Sequence, residues 1–169
     1  MGSQDFTLEN CTASLLCAAR YLRQRYPQVE DLCIFATGFG AYVTLVALQD
    51  LLELPGQLRL VIQTPPQHGK SLTITESFPS WYLGRYPKHR IIEASYNEEV
   101  ARRFGRKNME KMEQFGSTVF GLNKGIVWTT TEFELSNGWG RMISRGIMSG
   151  ITGNPANLML IDDPIKNRE

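Results

Sequence analysis

The chain has 169 residues, of which 42% are hydrophobic and 21% charged, and its formal net charge is +1. This length suits one compact domain, and this composition excludes wholesale disorder. The small net charge excludes a global basic field, so any contact with nucleic acid has to be local. No apolar run approaches the ~20 residues of a membrane span, and no signal peptide is evident. We therefore expect no membrane partner and a cytoplasmic location.

The elements follow one another in an alternating order. Buried strands are predicted from short apolar runs at residues 32–37, 58–63, 90–96 and 157–163. Helices are predicted over residues 7–25 with Thr7 as N-cap, after the glycines at 38–40, over 71–78 up to Pro79, and after the N-cap Asn97. Two further strands are predicted around a hairpin turn at Asn137-Gly138. This alternation predicts an α/β fold in which one mostly parallel sheet, containing the four buried strands, is flanked by helices in a three-layer αβα arrangement.

The cysteines and histidines do not form a recognisable site. Cys11, Cys17 and Cys33 lie in apolar runs without paired spacing, which predicts reduced, buried thiols. His68 and His89 do not combine with them at a zinc-site spacing.

The segment "TPPQHGKS", residues 64–71, ends as a phosphate-binding loop ends. Gly69 permits close backbone approach, Lys70 can reach terminal phosphates, and Ser71 offers a hydroxyl to Mg²⁺. The strict pattern requires glycine where Thr64 stands. A predicted strand precedes the segment and a predicted helix follows it, which favours a P-loop NTPase-like fold. The alternative is a turn with a solvated lysine.

A pair of acids supplies the second part of such a site. The run "LMLIDD" predicts a buried strand that ends in Asp162-Asp163. One acid could hold a magnesium ion through water, and the other could orient or deprotonate an attacking water. The alternative is an ordinary Asp-Asp-Pro turn at a strand end. The two motifs together, in this order, favour a phosphate-loop NTPase.

Several motifs together resemble one known family. The stretches "PPQHGKS", "IIEASYNEEVARRFGRKN" and "NLMLIDDPIKNRE" are similar to the N-terminal ATPase domain of tailed-phage terminase large subunits, the motors that package DNA into procapsids. The resemblance covers residues 58–169. In that family the loop commonly begins with two prolines and lacks the first glycine, so Thr64 is not a defect. The resemblance implies double-stranded DNA and ring-forming subunits as partners, and the host-cell cytoplasm as the location.

The resemblance also implies roles for individual residues. ATP and Mg²⁺ are the implied cofactors, and the loop residues that would bind the nucleotide are Gln67, His68, Gly69, Lys70 and Ser71. Asp162 matches the Walker B acid and would hold Mg²⁺ with Ser71. Asp163 stands at the catalytic carboxylate, with Lys70 as the second catalytic group. The family continues with a coupling strand and a nuclease domain, so we expect a truncated ATPase segment that binds nucleotide but turns over poorly.

The beginning of the chain resembles a different family. Residues 1–62 are similar to a fragment of an α/β-hydrolase, in which a strand ends at a nucleophilic serine before a helix. Gly38 stands at that serine position and Thr37 is one place away, so hydrolase chemistry is disfavoured. We expect segments 1–57 and 58–169 to form a chimera, natural or engineered, packed as one sheet. The alternative function is then an α/β chain without selected activity. The glycines at 38–40 could form an anion nest or a tight turn.

Basic residues remain to be assigned. A stripe on the helix after Asn97 could meet DNA phosphates or a neighbouring subunit, or could be a solvated face paired with glutamates; it contains Arg102, Arg103, Arg106, Lys107 and Lys111. Arg141 and Arg145 are candidates for an arginine finger in a ring.

Overall fold

The computed structural model describes residues 7–151 and 153–165 of an α/β chain. The last four residues of the terminase-like ending, 166–169, lie outside the described residues. The chain divides into two compact units, residues 1–68 and residues 69–169. The α/β class predicted from the sequence is confirmed.

The first unit is a βαβ arrangement with a helix in front of it. Its elements are α1 (Leu8–Arg25), β1 (Asp31–Thr37), α2 (Phe39–Val46), α3 (Leu48–Leu52) and β2 (Gln57–Gln63), and β1 pairs with β2 in parallel. The predicted cap is confirmed, because the Thr7 side chain accepts a hydrogen bond from the Asn10 N–H at 3.1 Å. Ala19, Ala47 and Leu51 are buried at the centre of this unit. The partly buried side chains that pack around them are Leu15 and Leu16 of α1, Leu32 and Ile34 of β1, Leu54, and Leu58 of β2.

A tight turn joins β1 to α2. Gly38 has φ +52°, a conformation that favours glycine, and its N–H donates to the Gln63 carbonyl at 3.1 Å. The tight-turn interpretation of the glycines at 38–40 is thus confirmed. The expectation of buried thiols is wrong for two of the three cysteines: all are free, but Cys17 and Cys33 are exposed. Cys17 lies one helical turn from the exposed Tyr21, and Cys33 shares a face of β1 with the exposed Phe35, so an apolar run did not distinguish these outward faces from the core.

The second unit contains a five-stranded sheet and two main helices. The elements are α4 (Phe78–Arg85), β3 (Arg90–Ser95), α5 (Glu98–Phe120), β4 (Lys124–Trp128), β5 (Glu132–Leu135), β6 (Arg141–Gly146) and β7 (Leu158–Asp162). The strand order is β4-β5-β6-β3-β7. Asn97 is the N-cap of α5, as predicted, and its side chain accepts from the Val100 N–H at 2.8 Å.

The sheets differ from the single, mostly parallel sheet that the sequence predicted. β1 and β2 form a separate two-stranded sheet, and the five-stranded sheet is mixed. In the latter, β3 pairs in parallel with β6 and β7, whereas β5 pairs antiparallel with β4 and β6. The Asn137-Gly138 hairpin places β5 antiparallel beside β6, and this pairing extends the sheet on that side. Apolar runs identify buried strands, but they do not determine which strands pair.

The chain between residues 69 and 80 also differs from the prediction of one helix ended by Pro79. A π-helical turn, Ser71–Thr75, comes first, and α4 then begins at Phe78 with Pro79 in its first turn. Proline lacks only an N–H that would have no helical partner at this position, so it begins a helix as readily as it ends one.

Helix α5 packs very closely on the sheet at Gly105. A Cβ atom added there would lie 2.2 Å from the Thr130 carbonyl oxygen and 2.7 Å from Ser144 Oγ. The first of these atoms belongs to the backbone and cannot rotate away. Gly105 therefore sets the distance between α5 and the strand that carries Ser144.

We expect Gly105→Ala to destabilise the second unit by about 2 kcal/mol, because an overlap with backbone costs about 3 kcal/mol and alanine regains only ~1 kcal/mol in helix propensity. Denaturation followed by tryptophan fluorescence measures this, since Trp81, Trp128 and Trp139 are the chain's three tryptophans and all lie in the second unit. Ser117→Ala, at an exposed position of the same helix, is the control. A stabilised Gly105→Ala protein would contradict the close packing.

Candidate functional site

The carboxyl ends of three parallel strands meet at one edge of the five-stranded sheet. Ser95, the last residue of β3, lies opposite Gly146 of β6 and Asp162 of β7. Lys70 and Ser71 begin the π-helical turn, and the side chains of this turn meet Asp162. Groups separated by about ninety positions in the sequence are thereby brought into contact.

Lys70 lies between the two acids. Its Nζ is 2.8 Å from Asp162 Oδ1 and 2.8 Å from Asp163 Oδ1. Burial by itself lowers the pKa of Lys70, but the hydrogen bonds and charges of both carboxylates outweigh it, so the pKa is raised. Lys70 is therefore a fully charged cation at neutral pH, held at the strand end.

Asp162 is a buried carboxylate with three donors. It is 7% exposed, and its Oδ2 accepts from Ser71 Oγ and from Thr75 Oγ1, both at 2.9 Å. Burial raises the pKa of Asp162, but the hydrogen bonds from Lys70, Thr75 and Ser71 outweigh burial and lower it. Asp162 is consequently ionised, and its negative charge is available to a cation at this edge.

Asp163 differs from Asp162 in exposure and in backbone. Its side chain is 67% exposed, and its backbone has φ +44°, in the left-handed region that aspartate tolerates better than most residues. After this turn one carboxylate oxygen of Asp163 contacts Lys70, although most of the side chain remains exposed. Gly69, with φ +75°, also needs the left-handed region, and its carbonyl accepts from the Thr73 N–H at 2.9 Å.

The other two predicted loop residues belong to the first unit. Gln67 has φ +62°, and His68 Nδ1 lies 2.8 Å from the Pro66 carbonyl oxygen. The Tyr42 hydroxyl donates to the His68 carbonyl at 3.5 Å. The structure thus brings Lys70, Ser71, Asp162 and Asp163 together within the second unit, while the proposed part of Gln67 and His68 in nucleotide binding stays a prediction.

Comparison with known protein families identifies a relative of the larger part of the chain. Residues 61–169, more than half of the chain, match the family described as "Terminase large subunit, T4likevirus-type, N-terminal". The chain belongs to this terminase family. No curated protein and no solved structure matches it. The match begins at residue 61, so the resemblance of residues 1–62 to an α/β-hydrolase, and with it the chimera, stays a prediction.

The sequence interpretation missed a third acidic side chain, Glu93, whose charge interacts with that of Asp162. Glu93 is 0% exposed on β3, directly opposite Ser144, whose hydroxyl donates to Glu93 Oε2 at 3.0 Å. Its Oε1 and the nearby Ser95 Oγ are buried without a hydrogen-bond partner in the described structure. Burial, followed by the charges of Asp162 and Glu76, raises the pKa of Glu93 to about 8. The signal was available: a lone glutamate interrupts the apolar strand Ile91–Ala94.

The two arginines proposed as fingers are engaged within the terminase chain. Arg141 pairs with Glu132 and Glu134, and it lies opposite Arg90, at the far end of β3 from Ser95. Five residues of strand, about 16 Å, separate the two ends. Arg145 pairs with Glu98 at 3.3 Å and lies opposite Ala94, so it is on the other face of the sheet from Asp162. Neither therefore serves the Asp162 site of its own chain.

Three side chains of the basic stripe on α5 form ion pairs or hydrogen bonds with other residues of the chain. Arg106 and Lys107 pair with Glu110 at 3.8 and 3.6 Å, which matches the solvated-face interpretation. Lys111 is turned inwards, and its Nζ donates to the Glu76 carbonyl at 2.7 Å. Arg102 and Arg103 remain exposed. Within the described residues, no helix of the terminase chain has the length and apolar content needed to span a membrane.

Proposed function

We propose that the second unit binds ATP with Mg²⁺ at the edge formed by Lys70, Ser71, Asp162 and Asp163, as the ATPase segment of a phage DNA-packaging terminase. One observation supports this most: a glycine-preceded lysine and serine contact two successive acids at the end of a buried strand. A lysine in a chance turn would point into solvent. The family membership of residues 61–169 agrees with this proposal.

Lys70 would exchange partners when nucleotide binds. Its Nζ is at present balanced by two carboxylates, each at 2.8 Å. A triphosphate brings several negative charges to the same ammonium group, so phosphate oxygens can replace the carboxylates as hydrogen-bond acceptors. Before nucleotide binds, the two carboxylates compensate the charge of Lys70. The lysine can therefore stand at a phosphate-binding position without being an unpaired cation.

The residues at this edge fit a magnesium ion. Ser71 Oγ and Asp162 Oδ2 are 2.9 Å apart, and both are oxygen ligands of the kind that Mg²⁺ prefers. No cluster of three or more acidic, histidine or cysteine side chains with metal-site spacing occurs in the described ranges, so phosphate and water oxygens would complete the shell. When bound, the ion would neutralise charge on the phosphates.

Asp163 would act on water. Its side chain is exposed and follows the end of β7, whereas Asp162 is buried and accepts a hydrogen bond from the buried Thr75 hydroxyl. An exposed carboxylate beside a bound phosphate can orient a water molecule and accept its proton. Asp162 thus serves binding and Asp163 serves hydrolysis, a division that follows from their different exposures.

DNA and neighbouring ring subunits are suggested as partners by membership of the terminase family. Exposed Arg102 and Arg103 on α5 are the cations that could contact DNA phosphates or a neighbouring subunit of a ring. A hydrolase function has no comparable support, since Gly38 offers no nucleophile at the turn after β1.

Two isosteric variants test the division of roles. Asp162→Asn should remove most of the Mg²⁺ dependence of ATP binding, because the amide keeps the shape but loses the charge that faces the ion. Asp163→Asn should leave binding within about twofold and lower any hydrolysis by about a hundredfold, the range typical of general-base groups. A fluorescent ATP analogue titrated with Mg²⁺ or EDTA measures the first effect, and phosphate release the second. Equal effects of both variants on binding would contradict the assignment.

A further inference from the structure

The buried side chain of Asn108 joins α5 to the segment that follows the loop. Asn108 is 0% exposed, and its Oδ1 accepts from the Ser80 N–H at 3.0 Å, in the first turn of α4. Its Nδ2 donates to the Thr75 carbonyl at 2.7 Å and to the Phe104 carbonyl at 3.1 Å. Both amide hydrogens and the amide oxygen are therefore used. An aspartate or leucine of similar size could not make this set of contacts.

Thr75 connects this amide to the candidate site. Its carbonyl accepts from Asn108, while its hydroxyl donates to Asp162 Oδ2 at 2.9 Å. Thr75 is the last residue of the π-helical turn and is 2% exposed. Its hydroxyl position is therefore determined by a carbonyl that α5 holds.

When nucleotide and Mg²⁺ bind, not all of the three hydrogen-bond donors to Asp162 would keep their contact with it. In the proposed function, phosphates draw Lys70 away from Asp162, and Mg²⁺ engages Ser71 Oγ. Thr75 has no such second role, so its hydroxyl is the donor that stays on the carboxylate. The orientation of Asp162 towards the ion then depends on Thr75, and through it on Asn108.

We propose that Asn108 is a positioning residue for the nucleotide site: by holding the Thr75 carbonyl it fixes the hydroxyl that orients Asp162, and it makes α5 the helix to which changes at the site are transmitted. This inference rests on the proposed function. Because coupling between two sites is reciprocal, a partner that shifts α5 would also change Mg²⁺-ATP affinity. The exposed Arg102 and Arg103 lie on this same helix.

Lys111 provides a matched control on the same helix. Its Nζ donates to the Glu76 carbonyl at 2.7 Å, so it also holds a carbonyl at the end of this segment. The Glu76 side chain, unlike that of Thr75, gives Asp162 no hydrogen bond in the described contacts. Lys111→Met therefore removes a comparable attachment without removing the path to Asp162.

A double-mutant cycle tests the inference. Asn108→Leu and Thr75→Val should each reduce the gain in ATP affinity produced by Mg²⁺ by about fivefold to tenfold. The double variant should lose no more than the larger single loss, because both changes break one path. Lys111→Met should change the Mg²⁺ gain less than twofold and should combine additively with Thr75→Val. Tryptophan fluorescence checks that each variant is folded, and Asn108→Ser replaces Asn108→Leu if the latter is not.

Two results would overturn the inference. The first is additivity of the Asn108 and Thr75 changes, which would mean that Asn108 serves general packing alone. The second comes from amide hydrogen exchange measured without nucleotide. Asn108→Leu should accelerate exchange across Ser71–Thr75, whereas Lys111→Met should not. Equal acceleration in the two variants would overturn the inference. If the unmodified chain binds no ATP, the proposed function fails, and this exchange comparison alone decides the positioning role.

Discussion

Replacing Lys70 with alanine is expected to weaken Mg²⁺-ATP binding by tenfold or more. A charge-assisted hydrogen bond is worth ~1.5–3 kcal/mol, and Lys70 is the cation in contact with both acids at the strand ends. Its removal also leaves the negative charges of Asp162 and Asp163 facing the incoming phosphates without their cation. Both effects act against binding, and equilibrium titration with a fluorescent ATP analogue measures their sum.

Lys107→Ala is the matched control for Lys70→Ala. It removes a cation of the second unit whose partner among the described residues is the exposed Glu110 at 3.6 Å, so it should change ATP affinity by less than about twofold. Unfolding of both variants should be followed by tryptophan fluorescence, since Lys70→Ala also removes a partner of the buried Asp162. A folded Lys70→Ala protein with unchanged affinity would show that the lysine does not touch the phosphates.

The stability of the second unit is expected to fall as the pH rises from about 4.5 to about 8. Burial and the charges of Asp162 and Glu76 raise the pKa of Glu93 from 4.5 to about 8, so the folded chain retains a proton that the unfolded chain releases. Between the two pKa values the folded state binds more protons, and stability decreases by roughly 1.4 kcal/mol per pH unit. The total loss is on the order of 5 kcal/mol, and the contribution is constant above pH 8.

Glu93→Gln should abolish most of this slope. Glutamine has the shape of the protonated acid and can still accept from Ser144 Oγ, so the variant should match the parent near pH 5 and exceed it by several kcal/mol at pH 9. Denaturant titrations across this range, read by tryptophan fluorescence, give both curves. Glu99→Gln, at an exposed position of α5, is the control and should follow the parent. Parallel parent and Glu93→Gln curves would mean that Glu93 is already ionised in the fold.

The sequence predicted the local features better than the connections between them. Thr7 and Asn97 are N-caps as expected, because a side-chain oxygen three residues before a free N–H is a local arrangement. Lys70 and Asp162 were also singled out, since lysine after glycine and acids after an apolar strand are visible in short windows, and the structure places the two side chains in contact. The separation of β1 and β2 from the five-stranded sheet was not predicted, because strand pairing depends on contacts distant in sequence.

The supporting residues of the site were missed for a similar reason. Thr75 and Asn108 are ordinary polar residues on helical segments, and nothing near them in the sequence shows that one contacts the other across thirty-three positions. Their importance depends on burial, which only the folded chain reveals. Pro79 shows the same limit, since a proline at a helix start and a proline at a helix end have the same local sequence.

The most direct test of the central claim is an equilibrium titration of the unmodified chain with an ATP analogue, once with Mg²⁺ and once with EDTA. The proposed site predicts saturable binding that Mg²⁺ strengthens by at least about tenfold, because the ion has to compensate phosphate charge that one lysine cannot. Absence of Mg²⁺-dependent binding at millimolar ATP would contradict the account, and the contacts among Lys70, Ser71 and Asp162 would then be structural.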